Sequence, residues 1–310
     1  MTNQELHRAG IWKIMANNTQ IASPGTSLAA EARMIAQTVR DASTSFYWAM
    51  RILPKSQRRA MFAVYAFCRN VDDIVDSEQL DEPEKRKQLT AWRQEIDALY
   101  AGHPRRAETR ALEAPMQELS LRRDDFMDVI AGMEMDAGDP VVAPSTETFD
   151  LYVDRVACAV GRLCVCVFGD PTDYGTAVAH HTGRALQITN ILRDVDEDAG
   201  IGRVYLPREL LKKHDIDYSD PVKITSQPGY IAMWRELAEV AHGEFVDAEQ
   251  AMNLCRKDVM RPARIMKAVY QRNLERMMAL PDTTLADPKV SKRLVGSKEK
   301  LLIAVRHRFF

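Results

Sequence analysis

The chain has 310 residues, of which 46% are hydrophobic and 28% charged, and 42 Lys and Arg against 44 Asp and Glu give a formal net charge of -2. Gly and Pro number 14 each, a breaker content too low for a collagenous, linker-rich or disordered chain. The charge balance argues against a dedicated nucleic-acid binder, and the longest obvious apolar run, residues 163–168, is far short of the ~20 residues a membrane-spanning helix needs.

Residues 1–25 mix scattered charges with Asn and Gln and lack a continuous apolar stretch, so they read as a weakly specified segment rather than a secretory signal. From residue 26 the apolar period is helical almost throughout, with Gly and Pro gathered between the periodic runs. The spacing predicts helices over 28–40 and 43–53, a break at Pro54, then the strongest helix of the chain over 56–76. Helices over 84–100, 109–118 and 123–135 follow, then a loop over 138–148. Val and Cys alternate near 164–167 as in a strand, but they continue a helical period from Leu151, so a buried helix over 149–168 is expected. Next come a helix over 174–198, an extended stretch at 202–207, a short helix at 208–213 and a loop over 217–229. Long helices over 230–255 and 262–278, a polar loop over 280–296 and a short helix over 298–306 complete the chain. No repeat and no Gly/Ser-rich linker divides it. The expectation is an all-α chain with one helical domain over 26–310.

The five cysteines, Cys68, Cys158, Cys164, Cys166 and Cys255, sit in or beside apolar runs. They form no C-x-x-C pair and their number is odd. That pattern points to buried, reduced thiols in a cytoplasmic protein, and away from cysteine-ligated zinc.

In the helix over 56–76 the string YAFCRNVDDIVD (65–76) places Tyr65, Arg69, Asp72 and Asp76 within about 60° of one another at ~100° per residue. The stripe of phenol, guanidinium and two carboxylates extends over about 16 Å of axis, beside an apolar band of Met61, Val64, Cys68, Val71 and Val75. Acidic pairs four apart arise by chance in a chain this acidic; the weight comes from Arg69 one turn before Asp72 and from the apolar setting. The string QITNILRDVDED (187–198) repeats the design: Gln187, Asn190, Asp194 and Asp198 share about 80° of a helix face. Asn190 adds a neutral carbonyl oxygen beside carboxylates, a donor set for a hard ion such as Mg²⁺, with Mn²⁺ as a substitute. Amides in an apolar helix also need partners.

If these helices face each other across a cavity, their carboxylates need cations. Several Mg²⁺ ions would neutralise them and clamp a diphosphate, with Arg51, Arg69, Arg193 and Arg203 completing the phosphate shell. An apolar helical cavity would then hold hydrocarbon tails away from water. This is prenyl diphosphate chemistry. The adjacent His180 and His181 would suit acid–base work near neutral pH, but no carboxylate cluster shares their register. The segment 301–310 mixes apolar and basic side chains, which suits either a peripheral contact with the inner face of the cytoplasmic membrane or a helix end packed on the core.

At these strings the sequence resembles the squalene/phytoene synthase family of head-to-head prenyl synthases. STSFY (43–47), ILP (52–54), GRVYLP (202–207) and RPAR (261–264) add to the two acidic motifs, and the similarity covers roughly residues 35–305. The resemblance implies the isoprenoid synthase fold, a single helical domain around a central cavity, and Mg²⁺-dependent condensation of two prenyl diphosphates, with downstream isoprenoid enzymes as partners. Position by position, Asp72 and Asp76 look like the first aspartate-rich motif, Asp194 and Asp198 like the second, and Asn190 like a metal ligand beside Asp194. Ser43, Ser45, Phe46, Tyr65, Arg69, Tyr152, Gln187, Arg193 and Tyr205 match positions around diphosphate or prenyl chain, and Tyr270 is a further candidate for the pocket. Of these, Tyr65, Arg69, Gln187, Arg193 and Tyr205 are the expected catalytic residues. One departure is Val153, where much of the family has Cys after the tyrosine.

Within the family, DEDAGIGRVYLP (196–207) and LYVDRVACAVGR (151–162) look most like the bacterial branch that joins two farnesyl diphosphates and stops at a cyclopropyl diphosphate. Two branches stay open beside it, one using two geranylgeranyl diphosphates and one completing an NADPH-dependent reduction. A non-catalytic helical interaction protein is the alternative from another class.

Overall fold

The computed structural model describes residues 45–309 without a break and, ahead of them, six helical positions between 30 and 39. Ser43 lies outside the described residues, as do residues 1–29 and the side chains of Ser45 and Phe46. Helix α1, Ser45–Arg51, leads into α2, Lys55–Asp76, and then α3, Glu82–Tyr100, α4, Ala107–Glu118, and α5, Arg123–Asp136. Next, α6, Thr146–Val153, runs through a π-helical segment, Asp154–Cys158, into α7, Ala159–Phe168. The longest helix, α8, Asp173–Ala199, precedes the short α9, Arg208–Lys213, and a 3₁₀ turn, Pro221–Ser226. Two long helices, α10, Tyr230–Leu254, and α11, Arg261–Met278, are followed by α12, Asp282–Leu285, and α13, Ser297–Phe309. Among the described residues there is no strand; the extended stretch near 202–207 makes one isolated bridge, Val142 with Val204.

Local chemistry sets the ends of these helices. Asp81 caps α3 by accepting from the Glu84 backbone N–H at 3.0 Å, Ser145 caps α6 through Thr148, and Thr172 caps α8 through Gly175. Gly169, at φ 98°, ends α7 in the left-handed conformation that glycine adopts without strain.

The apolar faces pack into two cores. One gathers Phe67, Trp92, Phe126, Leu163 and their neighbours from α2 to α7; the other gathers Trp234, Tyr230, Phe245, Ile188 and Leu274 from α8 and the later helices. Phe67 is the hub of the first, meeting Trp92 and Phe126 edge to face at 5.4 and 5.1 Å. In the second, α10 lies along α8, and Trp234 donates its indole N–H to the Leu192 carbonyl at 3.0 Å. The five cysteines are free thiols, four of them buried, and burial pushes Cys158, Cys164 and Cys255 up to about 12.

Three expectations change in the structure. The helix predicted over 149–168 starts at Thr146, because Ser145 is a cap, and is interrupted by the π segment, a wide turn that apolar periodicity does not encode. The loops predicted over 217–229 and 280–296 contain the 3₁₀ turn and the single-turn helix α12, both opened by proline, which presets the helical φ. No helix of the described residues is long and apolar enough to cross a membrane.

Helices α7 and α8 cross closely at glycines. A Cβ on Gly161 would lie 2.9 Å from the Ala179 carbonyl oxygen, and one on Gly183 would lie 2.8 Å from the Cys158 backbone. Gly161→Val forces these helices apart and should lower unfolding free energy by about 1–3 kcal/mol, read from urea denaturation; an unchanged midpoint would show that the crossing yields freely.

Candidate active site

Helix α2 is buried on nearly all sides, so its polar residues are drawn into the interior by the apolar ones beside them. Tyr65 and Arg69 are buried at 3% and 7% exposure. Arg69 forms ion pairs with Asp72 at 3.3 Å and Asp73 at 2.5 Å. Burial and the neighbouring Asp76 push the Asp72 carboxyl up to about 8, against the pull of Arg69. One guanidinium thus meets two carboxylates while a third, Asp76, lies one turn on, and the stretch is short of positive charge.

Asp136, at the end of α5, was not singled out by the sequence. It is buried, and its carboxylate accepts from Tyr205 Oη at 2.8 Å and Tyr152 Oη at 3.0 Å. The two tyrosine rings stack at 5.0 Å. Burial raises the Asp136 carboxyl, while Arg203 and the two phenols lower it, and Asp76 lies close enough to raise it again. Tyr205 in turn feels Asp198. Asp136, Tyr205 and Arg203 therefore stand between the end of α2 and the end of α8. Asp136 is one of five carboxylates on α5, and nothing in the local sequence marks it out from the other four.

On α8, Asn190 donates to Gln187 Oε1 at 3.3 Å, and its own Oδ1 is buried without a partner. Asp194, 8% exposed, is held by the guanidinium of Arg193 and by Arg293 at 3.2 Å. Tyr270 is buried beside Arg193. Arg293 also reaches Glu197 at 3.2 Å, and the buried Lys292 meets Asp196 at 2.7 Å. These two residues lie in the segment after α12 that was read only as a polar loop; it straps the acidic end of α8. Lys300 from α13 comes near Arg193 and Arg293, and burial lowers its ammonium pKa.

Next to Gln187 and Asn190 lies a cavity with about 800 Å³ of empty space, part of it open to solvent. Its walls are almost wholly apolar: Met50, Met61, Val156, Val165, Phe168 and Met266 are among them, with Gln187 and Asn190 as polar exceptions. From Val178 to Asn190 the lining extends along thirteen residues of α8, about 18 Å of axis.

The structure thus groups Tyr65, Arg69, Asp72 and Asp76 along α2, and Gln187, Asn190, Arg193, Asp194 and Asp198 along α8 with Tyr270 beside Arg193; Asp136, Tyr152, Arg203 and Tyr205 link Asp76 to Asp198. It does not bring Arg51 to them: that guanidinium is exposed and donates to Tyr47 Oη at 3.0 Å. Divalent cations fit this donor set. The Asn190 oxygen is orphaned, and the Asp72 carboxyl stays raised even with Arg69 beside it, so both have room for further positive charge. Among the described residues, the compact three-ligand clusters lie elsewhere, so these carboxylates do not converge on one point. Mg²⁺ is commonly held in that way, by a few carboxylates together with substrate phosphate.

A helical fold around an apolar cavity flanked by two acidic helices is the isoprenoid synthase architecture. It superposes with TM-score 0.78 on a crystal structure of a dehydrosqualene synthase, 24% identical, over 91% of this chain and 96% of that one. A squalene synthase from Alicyclobacillus acidocaldarius gives 0.74 at 24% identity over 81% and 94%. The sequence profile of squalene/phytoene synthases matches residues 39–295, and the chain belongs to that family, whose members are metal-dependent prenyltransferases. It is 46% identical over 237 residues to a presqualene diphosphate synthase of Zymomonas mobilis subsp. mobilis, covering 76% of this chain and 81% of the relative. A protein of the same name from Rhodopseudomonas palustris is 44% identical over 268 residues, 85% and 92% of the two chains.

In metal-free protein Asp72 keeps its proton to about pH 8, whereas in the unfolded chain it ionises near the ordinary value of about 4. The folded state holds the extra proton between these limits, so stability falls as pH rises through that window. Asp72→Asn should flatten this slope in urea denaturation with chelator present; an equal slope in the variant would assign the proton elsewhere.

Proposed function

We propose that the chain joins two farnesyl diphosphates head to head, releases one diphosphate and yields presqualene diphosphate, in squalene and hopanoid biosynthesis. The observation that carries this reading is the apolar cavity that begins at Gln187 and Asn190, on the helix that also bears Asp194 and Asp198. The relatives named presqualene diphosphate synthase support the choice of substrate and product.

Asp72, Asp76, Asn190, Asp194 and Asp198 would hold several Mg²⁺ ions, with Mn²⁺ able to replace them. When bound, these ions stabilise the charge that builds on the departing diphosphate. The chain's own groups do the rest. Arg69, Arg193 and Arg203 offer guanidinium forks to the diphosphates, and Arg193 must first leave Asp194. Serine and aromatic positions Ser43, Ser45 and Phe46 complete the substrate contacts that the family resemblance implies, and Arg51 belongs to the entrance if it turns from Tyr47. In the donor farnesyl group the C1–O bond breaks with its electron pair leaving on the diphosphate. The C2=C3 double bond of the second molecule attacks the resulting allylic cation, and loss of a proton closes the cyclopropane.

The cavity walls keep water from that cation, and the Asp136 carboxylate fixes the Tyr152 and Tyr205 phenols at the edge of the site. The outward row Leu301, Leu302 and Val305 on α13 supports contact between this cytoplasmic enzyme and the inner face of the membrane that holds its greasy substrate; such a position also suits transfer of product to a downstream isoprenoid enzyme.

Mass analysis of products from farnesyl diphosphate and Mg²⁺, with and without NADPH, should show a C30 cyclopropyl monodiphosphate in both cases. Squalene formed with NADPH would move the reaction one step further. Phytoene from geranylgeranyl diphosphate, with no product from farnesyl diphosphate, would change the chain length. Asp72→Ala and Asp194→Ala should each lower turnover by about 10²-fold or more, with helicity retained by circular dichroism; normal turnover in both would remove the metal-clamp assignment.

A further inference from the structure

Away from the acidic ends of α2 and α8, the described residues hold two compact sets of metal-ligating side chains that share His180. One ligand atom each from Asp154, Cys158 and His180 lies within 4.8 Å of the others, and the same is true of His180, His181 and Glu244. Asp154 and Cys158 are the two ends of the π segment, about one wide turn apart and so on one side of it. His180 reaches them from α8, and its backbone carbonyl accepts from Cys158 Sγ at 3.3 Å. Cys158 is fully buried, Asp154 is 38% exposed and His180 is exposed. The sulfur is therefore shielded from water while the cluster opens outward.

The surroundings favour a cation. Asp154 shares Arg162 with Asp125 and Asp128, and Asp125 also takes Arg122. Across the cluster, Glu244 and Asp150 share Arg184, and Glu244 meets His181 Nδ1 at 2.8 Å. Five carboxylates thus face three guanidinium groups. Arg162 holds Asp154 without using all the lone pairs of its carboxylate, so the oxygen remains able to bind a metal.

We propose that Asp154, Cys158 and His180 form a zinc site on the outer wall of the cavity, supported by His181 and Glu244. Thiolate sulfur, imidazole nitrogen and carboxylate oxygen are the donors Zn²⁺ takes, and three protein ligands leave a fourth position for water. The sulfur and nitrogen separate this site from the oxygen-only chemistry suited to Mg²⁺. As the metal binds, the S–H bond of Cys158 breaks and the proton goes to solvent. No C-x-x-C pair announces the site, because its ligands come from a π turn and from a helix more than twenty residues further on.

The position couples the metal to the active site. Val156 and Ala157, between the two ligands in sequence, line the prenyl cavity. Gly183 both lines the cavity and packs against the Cys158 backbone. A metal that pins the π turn pins that wall.

Cobalt(II) is the probe, added to full-length protein freed of metal by chelation. The expected result is a thiolate-to-cobalt charge-transfer band that saturates at one equivalent and is abolished by added Zn²⁺. Cys158→Ser, close to isosteric, should abolish the band. His180→Ala, at an exposed position that leaves folding undisturbed, should weaken binding at least about tenfold. Asp194→Asn should leave the band in place, since the carboxylates of the active site contribute no sulfur. Absence of the band at saturating cobalt, or a band that survives Cys158→Ser, would overturn the assignment.

Discussion

The structure is organised around carboxylates drawn into an apolar interior. Asp72, Asp136 and Asp194 are drawn inward by the helices that carry them, and each meets the cost of leaving water differently. Asp72 is raised to about 8 by burial and by Asp76, Asp136 is shared by two phenols, and Asp194 is held between two guanidinium groups. The strap after α12, the stacked tyrosines and the Arg69 pairs are all local answers to that one problem. A bound divalent cation and diphosphate answer it more completely, which is why the same geometry that is awkward for the bare protein suits the reaction.

The two acidic stripes were legible in the sequence because a helix is local. Its period alone puts Arg69 beside Asp72 and Asn190 beside Gln187, and both contacts are present. The all-α architecture was legible for the same reason. What escaped was everything built by long-range closure. Asp136 finds Tyr152 and Tyr205 at separations of 16 and 69 residues, and no pattern around Asp136 records them. Arg293 and Lys292 lie in a stretch without periodicity, whose role comes only from what it passes over. The carboxylates near His180 and His181 were missed likewise, since Asp154 and Glu244 arrive on other elements. Arg51 is a different case: a cation beside a family string, whose exposed side chain donates to Tyr47.

The π segment shows how one irregular turn can serve two surfaces. Its middle residues, Val156 and Ala157, belong to the cavity, while its ends, Asp154 and Cys158, face the ion-pair network outside. The carboxylates of α2 and α8 form one donor set and the sulfur, nitrogen and oxygen groups behind the cavity wall another, and the two differ in chemistry as well as in place.

The strap also orders events during synthesis. Arg293 lies 99 residues beyond Asp194, and Lys292 lies 96 beyond Asp196. At roughly 5–20 residues per second, the acidic end of α8 leaves the ribosome several seconds before the side chains that will neutralise it. During that interval α8 can lie against α7, but its last turn carries uncompensated charge and has no α10 to pack against. The second core, which draws on α10, α11 and Ala304 of α13, therefore closes only after these helices have been made.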